Sequence, residues 1–182
     1  MNDPDGRNDA PTRTIDVPLH RDLFLRTLLG ELSSTLQDVV GLEEASGYVS
    51  VVGQRVGAWI NAAYESELGQ QWSREQVAEV LVDLKRRIDG DFSIETCDAE
   101  QIVLTNRRCP FGDKVRGRPS MCMMTSNVFG HITAEHLGFA RVSLVETIAE
   151  GQPGCRVLVQ LRRDGTPPGE RARDYFRQGS RS

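Results

Sequence analysis

The spacing of apolar residues changes near Gly90, and this change constrains the fold more than any other feature of the chain. Before Gly90, apolar residues recur every three or four positions, which is the period of an amphipathic helix. After it, apolar and polar residues alternate in two short runs, residues 92–96 and 102–104, which is the period of a strand. The sequence therefore predicts helices followed by a sheet.

Two helices are predicted before residue 70. The first carries leucines at helical spacing from Leu25 onward and ends around Gly41, and the second runs from about Glu43 to Leu68. Gly53 and Gly57 lie four positions apart in the second helix. Because glycine has no side chain, this pair is expected to permit a close approach by the backbone of another element.

The remaining elements follow the same signals. A third helix begins at Ser73, at a capping box, and stops at Gly90, and a β-hairpin follows it. A fourth helix is predicted from about Ser120 to His136. Two further strands, residues 139–148 and 155–161, are joined by a Gly- and Pro-rich turn and should pair as a second hairpin. The fold class is α+β, with an antiparallel sheet of about four strands and the helices packed on it.

The two ends of the chain lack apolar periodicity. Residues 1–17 are rich in Asp, Asn, Pro and Gly and are predicted to form a flexible arm, and residues 163–182 are predicted to form a basic flexible tail. Residues 18–162 are long enough to bury one hydrophobic core. We therefore expect a single sensor or output domain between the arm and the tail.

Composition narrows the function classes. No apolar run approaches the roughly 20 residues that a membrane helix needs, and no secretory signal is visible, so we expect a cytoplasmic protein without membrane association. The formal net charge of −4 makes direct nucleic-acid binding doubtful. In a reducing cytosol the four cysteines are free for metal binding, redox sensing or simple burial.

Three of the cysteines are expected to meet in space. Cys109 ends the second predicted strand and Cys122 lies in the first turn of the fourth helix. That helix carries the chain away by about 22 Å and the next strand returns it, so Cys155 should lie near both. Cys97 is separated by a whole strand, about 25 Å, and is interpreted as a bystander. Three thiolates suit an iron-sulfur cluster or Zn, with the fourth position open or filled by Asp113, water or a ligand.

Positive charge surrounds Cys109 in the sequence. Because nearby cations and a helix N-terminus lower the pKa of a thiol, we expect a thiolate-favouring site at Cys109 and Cys122. Two other interpretations remain open, namely buried thiols that act as small hydrophobes and a redox disulfide. The basic residues predicted to tune the site are Arg107, Arg108, Lys114, Arg116 and Arg118.

Four segments resemble the methanogen output domain family: CPFGDKVRGRPSMCMMTSNVFGHITAEHLGFARV, GCRVLVQL, GLEEASGYVSVVGQRVG and LVDLKRRIDGDF. The resemblance implies a ligand-sensing α+β domain, related to the 4-vinyl reductase and haem-NO-binding-like group, that works with histidine kinases or transcription regulators. The cysteine pattern is also similar to the sensor half of iron-sulfur-binding repressors, where three cysteines hold the cluster. By this similarity, the cluster ligands would be Cys109, Cys122 and Cys155. The winged-helix reader of those repressors is not found here.

These features predict a homodimeric cytoplasmic sensor with an iron-sulfur cluster, or alternatively Zn, that signals to a regulatory partner protein. The dimer rests on the resemblance and on the apolar first two helices. The alternative is a module that binds a small apolar ligand between helices and sheet, with structural zinc or buried cysteines. We do not expect an enzyme, because Asp113 is the one acid/base candidate close to the cysteines in sequence.

Overall fold

The helices come first along the chain. A computed structural model describes residues 17–177, with helices α1 at Arg21–Leu68, α2 at Arg74–Arg86 and α3 at Cys122–Leu137. α1 is interrupted at Gly41, whose φ of 84° is a left-handed value that glycine adopts without steric cost. The two helices predicted on either side of this glycine are therefore both present, and they meet at a kink inside the span labelled α1. None of the helices in the described range is long and apolar enough to cross a bilayer.

The strands form one antiparallel sheet. They are β1 at Ser93–Cys97, β2 at Gln101–Asn106, β3 at Phe139–Glu146, β4 at Cys155–Gln160 and β5 at Ala172–Phe176. Their order across the sheet is β1-β2-β4-β3-β5. Both predicted hairpins are confirmed, because β1 pairs with β2 and β3 pairs with β4. The α+β class is confirmed as well.

The predicted number of strands was wrong, because the sheet has five strands where four were expected. β5 lies within residues 163–182, which were predicted to be a flexible tail, and it pairs with β3. Buried Arg141 of β3 holds this edge by ion pairs with Asp174 at 2.6 Å and Asp164 at 2.9 Å. The predicted arm, apart from residue 17, lies outside the described residues.

The helices form two layers over one face of the sheet. α2 and α3 pack against the strands, and α1 packs on α3. A Cβ atom added to Gly53 would lie 2.9 Å from Cβ of Asn127, and one added to Gly57 would lie 3.2 Å from Cβ of His131. The predicted close approach at these glycines is confirmed. The shared core includes Val77, Leu81, Leu84, Ile102, Leu104, Val128, Phe129, Ile132, Val142, Val157 and Val159.

The packing at Gly53 can be tested by substitution. We expect Gly53→Ala to lower the free energy of unfolding by about 1–3 kcal/mol, because overpacking forces neighbours to move. The added Cβ would lie 2.9 Å from Asn127 Cβ and 3.3 Å from Met124 Cα. Gly47→Ala in the same helix is the control, since nothing lies within 4 Å of its added Cβ. That change should raise stability by up to about 1 kcal/mol. Urea denaturation that shows both variants stabilised would contradict the close packing.

Candidate metal centre

A small cavity lies at the end of the sheet where β2 ends and β4 begins. Cys109 follows β2, Cys122 is the first residue of α3, and Cys155 is the first residue of β4. All three line the cavity, whose free volume is about 30 Å³. Since one water needs about 10–15 Å³, the cavity has room for about two or three waters. The other walls are Phe92, Asn106, Pro110, Phe111, Val115, Met121, Thr125, Leu144, Thr147, Ile148, Ala149 and Val157.

Asn106 fixes the two strand ends that carry Cys109 and Cys155. Its side chain is buried, donates to the carbonyl of Arg108 at 2.9 Å, and accepts from the backbone N–H of Cys155 at 3.0 Å. Gly154 allows this approach, because a Cβ there would lie 2.3 Å from the backbone oxygen of Asn106. One amide side chain therefore sets the spacing of two cavity cysteines.

Lys85 places a buried ammonium beside the cavity. It lies in the last turn of α2, and 5% of its surface is exposed. Its Nζ donates to Thr125 Oγ1 at 2.7 Å and lies 5.6 Å and 5.3 Å from the ring centroids of Phe92 and Phe129. Burial lowers the pKa of Lys85 to about 8, and the three cavity thiols act in the opposite direction.

Burial raises the pKa of each cavity thiol, so the prediction of lowered thiol pKa values was wrong. The pKa of Cys122 rises to about 12, chiefly because of burial and further because of the other two thiols. Burial is also the largest cause for Cys109 and Cys155. Cys122 does not gain from a free helix N-terminus, because a 3₁₀ turn at Pro119–Met121 precedes α3 and occupies the N–H of Cys122.

Two of the thiols nevertheless receive backbone hydrogen bonds that favour a thiolate. The N–H of Ile148 donates to Cys155 Sγ at 3.5 Å. The N–H of Phe111 lowers the pKa of Cys109, as do the cations of Lys85 and Arg26. Such N–H donors are a feature of sulfur ligands in metal and cluster sites, where they tune the centre.

Three of the five basic residues predicted to tune the site contact other groups. Arg118 donates to Ser34 Oγ at 2.5 Å, and Arg108 donates to the carbonyl of Asp89 at 3.0 Å. Arg116 pairs with Asp113 at 3.4 Å. The Asp113 side chain is 95% exposed, so the structure does not bring this proposed fourth ligand to the cavity. Arg107 is exposed and Lys114 is half-buried.

The three cysteines line the cavity, but their side chains are not arranged as a set of metal ligands. Across residues 17–177, no three His, Cys, Asp or Glu side chains converge in an arrangement ready to hold a metal ion. The donor chemistry fits a thiophilic metal, but the thiols would have to rotate toward a common point. Cys97 lies elsewhere, at the end of β1, where its electrostatic neighbours include Arg74 and Glu75.

A family model described as methanogen output domain 1 matches residues 28–160. The chain belongs to this family. The match begins in the second turn of α1 and runs through β4, so it contains all three cavity cysteines. The resemblance to the methanogen output domain family noted in the sequence is confirmed. Among curated proteins no relative is found.

Two solved structures share the fold of this methanogen output domain. The phenol-responsive sensory domain of the transcription activator PoxR, with phenol, matches with a TM-score of 0.60 and 17% identity over 80% of this chain and 76% of that one. A trafficking protein particle complex subunit 3 from Naegleria fowleri, covalently bound to palmitic acid, matches with a TM-score of 0.56 and 12% identity over 86% and 98%. At these identities the likeness shows the fold alone.

Lys85 and Asn106 were missed in the sequence. Lys85 lies four positions after Leu81 and directly after Leu84, both on the buried stripe of α2. A lysine among the apolar residues of the buried face of α2 was therefore a signal in the sequence that this position is unusual. The sequence gave no such signal for Asn106, because its role depends on a hydrogen bond from the N–H of Cys155, which lies 49 residues away.

An apolar groove adjoins the cavity of the methanogen output domain. Its volume is about 230 Å³. Phe111 and Met121 line both the groove and the cavity, so the two spaces share part of a wall. The remaining lining residues are Leu29, Leu32, Ser33, Leu36, Tyr48, Val49, Val52 and Met124.

The raised thiol pKa values predict slow alkylation of the metal-free chain. At pH 8 we expect iodoacetamide to modify Cys122 at least 100-fold more slowly than in urea, because its pKa rises from 9.0 to about 12 and each unit lowers the thiolate fraction tenfold. Cys97 is the control, and it should react faster than Cys122 in the folded chain. Peptide mass spectrometry after timed quenching gives both rates. Equal rates at the two cysteines would contradict the buried, protonated state of Cys122.

Proposed function

We propose that this methanogen output domain is a homodimeric cytoplasmic sensor that holds a metal at Cys109, Cys122 and Cys155 and signals to a regulatory partner protein. The observation that carries the proposal is that three thiols line one cavity beside a buried ammonium. The family's description as an output domain supports a signalling role. The fold shared with a sensory domain of a transcription activator is consistent with it.

A single metal ion suits the cavity better than a cluster. Thiolates select soft or borderline cations such as Zn²⁺ and iron. The free volume of about 30 Å³ accommodates one ion and one further small ligand, whereas an iron-sulfur cluster would require the walls to move outward. We therefore propose zinc first and the cluster second. The walls of the cavity in the described chain carry neither a carboxylate nor an imidazole, so we propose no catalytic activity.

A polar network connects the centre to α1. Ser33 shares a 2.9 Å hydrogen bond with Ser120, and Gln37 Oε1 accepts from the Ser120 hydroxyl at 2.5 Å. Arg118 bonds to Ser34 in the same region. These contacts lie two to four residues before Cys122. Movement of Cys122 would therefore be passed directly to the first half of α1.

The first half of α1 has the apolar pattern of a helix–helix seam. Leu25, Leu28, Leu32 and Val39 follow spacings of three, four and seven, as the a and d positions of a heptad do, with polar Thr35 at the d position between Leu32 and Val39. Each of these apolar side chains is between 42% and 75% exposed. An exposed apolar stripe of this kind is typical of an interface. We propose that a second copy of the chain covers it, since the same stripe on a second molecule is self-complementary.

The groove supports a second candidate function. Its volume of about 230 Å³ and its apolar walls suit a small apolar ligand. The sensory domain of PoxR, which shares the fold, is described with phenol. In this candidate the cysteines are structural, and the groove rather than the cavity receives the signal.

Metal analysis tests the first proposal. We expect protein purified without oxygen to contain about one zinc or one cluster per chain, and Cys109→Ser, Cys122→Ser and Cys155→Ser each to lose it, because each change removes a thiolate. Cys97→Ser is the matched control and should keep the metal. Elemental analysis with visible absorption separates zinc, which is colourless, from a cluster. Wild-type protein that contains neither zinc nor a cluster and binds no added Zn²⁺ would refute the metal centre and leave the apolar-ligand candidate.

Sedimentation tests the dimer. Placing charges on the seam with Leu32→Glu and Val39→Glu together should convert the dimer to monomer, because like charges and lost apolar contact oppose association. Val145→Glu is the control, since Val145 is also an exposed apolar residue, 46% exposed, but lies on β3. A monomeric wild type, or dissociation by the control variant alone, would refute α1 as the interface.

A further inference from the structure

Lys85 has no carboxylate partner among the described residues. Its ammonium has three N–H donors, and the Thr125 hydroxyl accepts one of them at 2.7 Å. The other neighbours are the faces of Phe92 and Phe129. No Asp or Glu within residues 17–177 lies in ion-pair distance of Nζ, and the titratable groups that act on it are the three cavity thiols.

A buried ammonium without an anionic partner is costly, and one hydrogen bond with two aromatic faces offsets only part of that cost. A neutral side chain at this position would pack on the same aromatic rings without that cost. Leu84 and Leu81, its neighbours on the buried stripe of α2, show that the helix otherwise places apolar residues here. The chain has two lysines among 22 basic residues, and one of them occupies this buried position.

The net negative charge of the proposed metal centre would compensate the positive charge of Lys85. Three thiolates carry −3 and a divalent cation carries +2, which leaves −1 inside a low-dielectric cavity. The Lys85 ammonium carries +1 and brings the sum to zero. Its contact with Thr125, which lines the cavity, places the ammonium directly behind the cavity wall.

We infer that Lys85 is the buried counter-ion of the three-cysteine centre, and that its ammonium neutralises the single negative charge which three thiolates and one divalent cation leave in the cavity. This inference rests on the proposed metal function. Lys85 acts as a positioning and charge-balancing residue, and the ligands remain Cys109, Cys122 and Cys155.

Lys85→Met tests the inference, because methionine keeps the length of the side chain and removes its charge. We expect the affinity for Zn²⁺, measured by competition with a chromogenic chelator, to fall about 10–100-fold, the usual effect of losing an outer-shell partner. The thermal stability of the metal-free variant should stay equal or rise, because a buried charge is removed. A merely structural lysine would give the opposite pair of results, a less stable metal-free chain and an unchanged affinity.

Two further variants sharpen the test. Lys114→Met is the matched control, because the only other lysine lies outside the cavity, and it should leave Zn²⁺ affinity unchanged. Thr125→Val removes the hydrogen bond and keeps the ammonium, so it should weaken binding less than Lys85→Met. If Lys85→Met binds Zn²⁺ as tightly as the wild type while Cys109→Ser does not, the counter-ion inference fails and the metal centre stands. If the wild type binds no Zn²⁺ and holds no cluster, the proposed function itself fails.

A labelling experiment does not depend on the folding of any variant. With two lysines in the chain, amine methylation can be followed at each of them by peptide mass spectrometry. We expect added Zn²⁺ to slow the methylation of Lys85 at least tenfold, because an ammonium paired with an anionic centre gives up its proton less readily. Lys114 should be unaffected. Methylation of Lys85 at the same rate with and without bound Zn²⁺ would overturn the inference.

Discussion

The close packing of α1 on α3 at Gly53 and Gly57 is the constraint on which the other features depend. A methyl group at Gly53 would already approach Asn127 to 2.9 Å, so the two helix backbones meet almost directly. This contact fixes the position of α3 relative to α1, and Cys122 is the first residue of α3. The same arrangement allows Ser33 in the first half of α1 to reach Ser120. Two residues that lack side chains therefore hold the second half of α1 against α3, and the contact between Ser33 and Ser120 ties the first half, which precedes the break at Gly41, to the region of the cavity.

The electrostatics of the cavity separate two states of the chain. Without a metal, burial dominates, so the thiols keep their protons and the pKa of Cys122 lies at about 12. A bound cation would reverse this preference, because metal binding requires thiolates and releases their protons. The N–H of Ile148 and the ammonium of Lys85 are already positioned to stabilise the deprotonated form. The cavity thus contains groups that would stabilise thiolates, while the burial of the thiols keeps them protonated in the metal-free chain.

Local patterns were enough to predict most of the fold, and long-range pairing explains what they missed. Apolar periodicity and glycine punctuation predicted the helices, the break at Gly41 and both hairpins, because these depend on neighbouring residues. β5 was missed because its polar sequence is stabilised at the sheet edge by Arg141, which lies 33 residues from Asp174. The predicted direction of the thiol pKa shifts was wrong for a related reason. Sequence shows which charges are near along the chain, whereas burial of Cys109 depends on elements distant from it.

The shared wall between cavity and groove means that the two candidate functions are physically linked. Phe111 and Met121 cannot move toward the groove without changing the cavity, since each lines both spaces. If a metal in the cavity and an apolar molecule in the groove both bind, each must change the affinity of the other by the same factor, because coupling free energy is reciprocal. Leu32 lies in the groove and also on the exposed stripe of α1. Occupancy of either space would therefore act on the same helix surface, which is the surface proposed to meet a second copy of the chain.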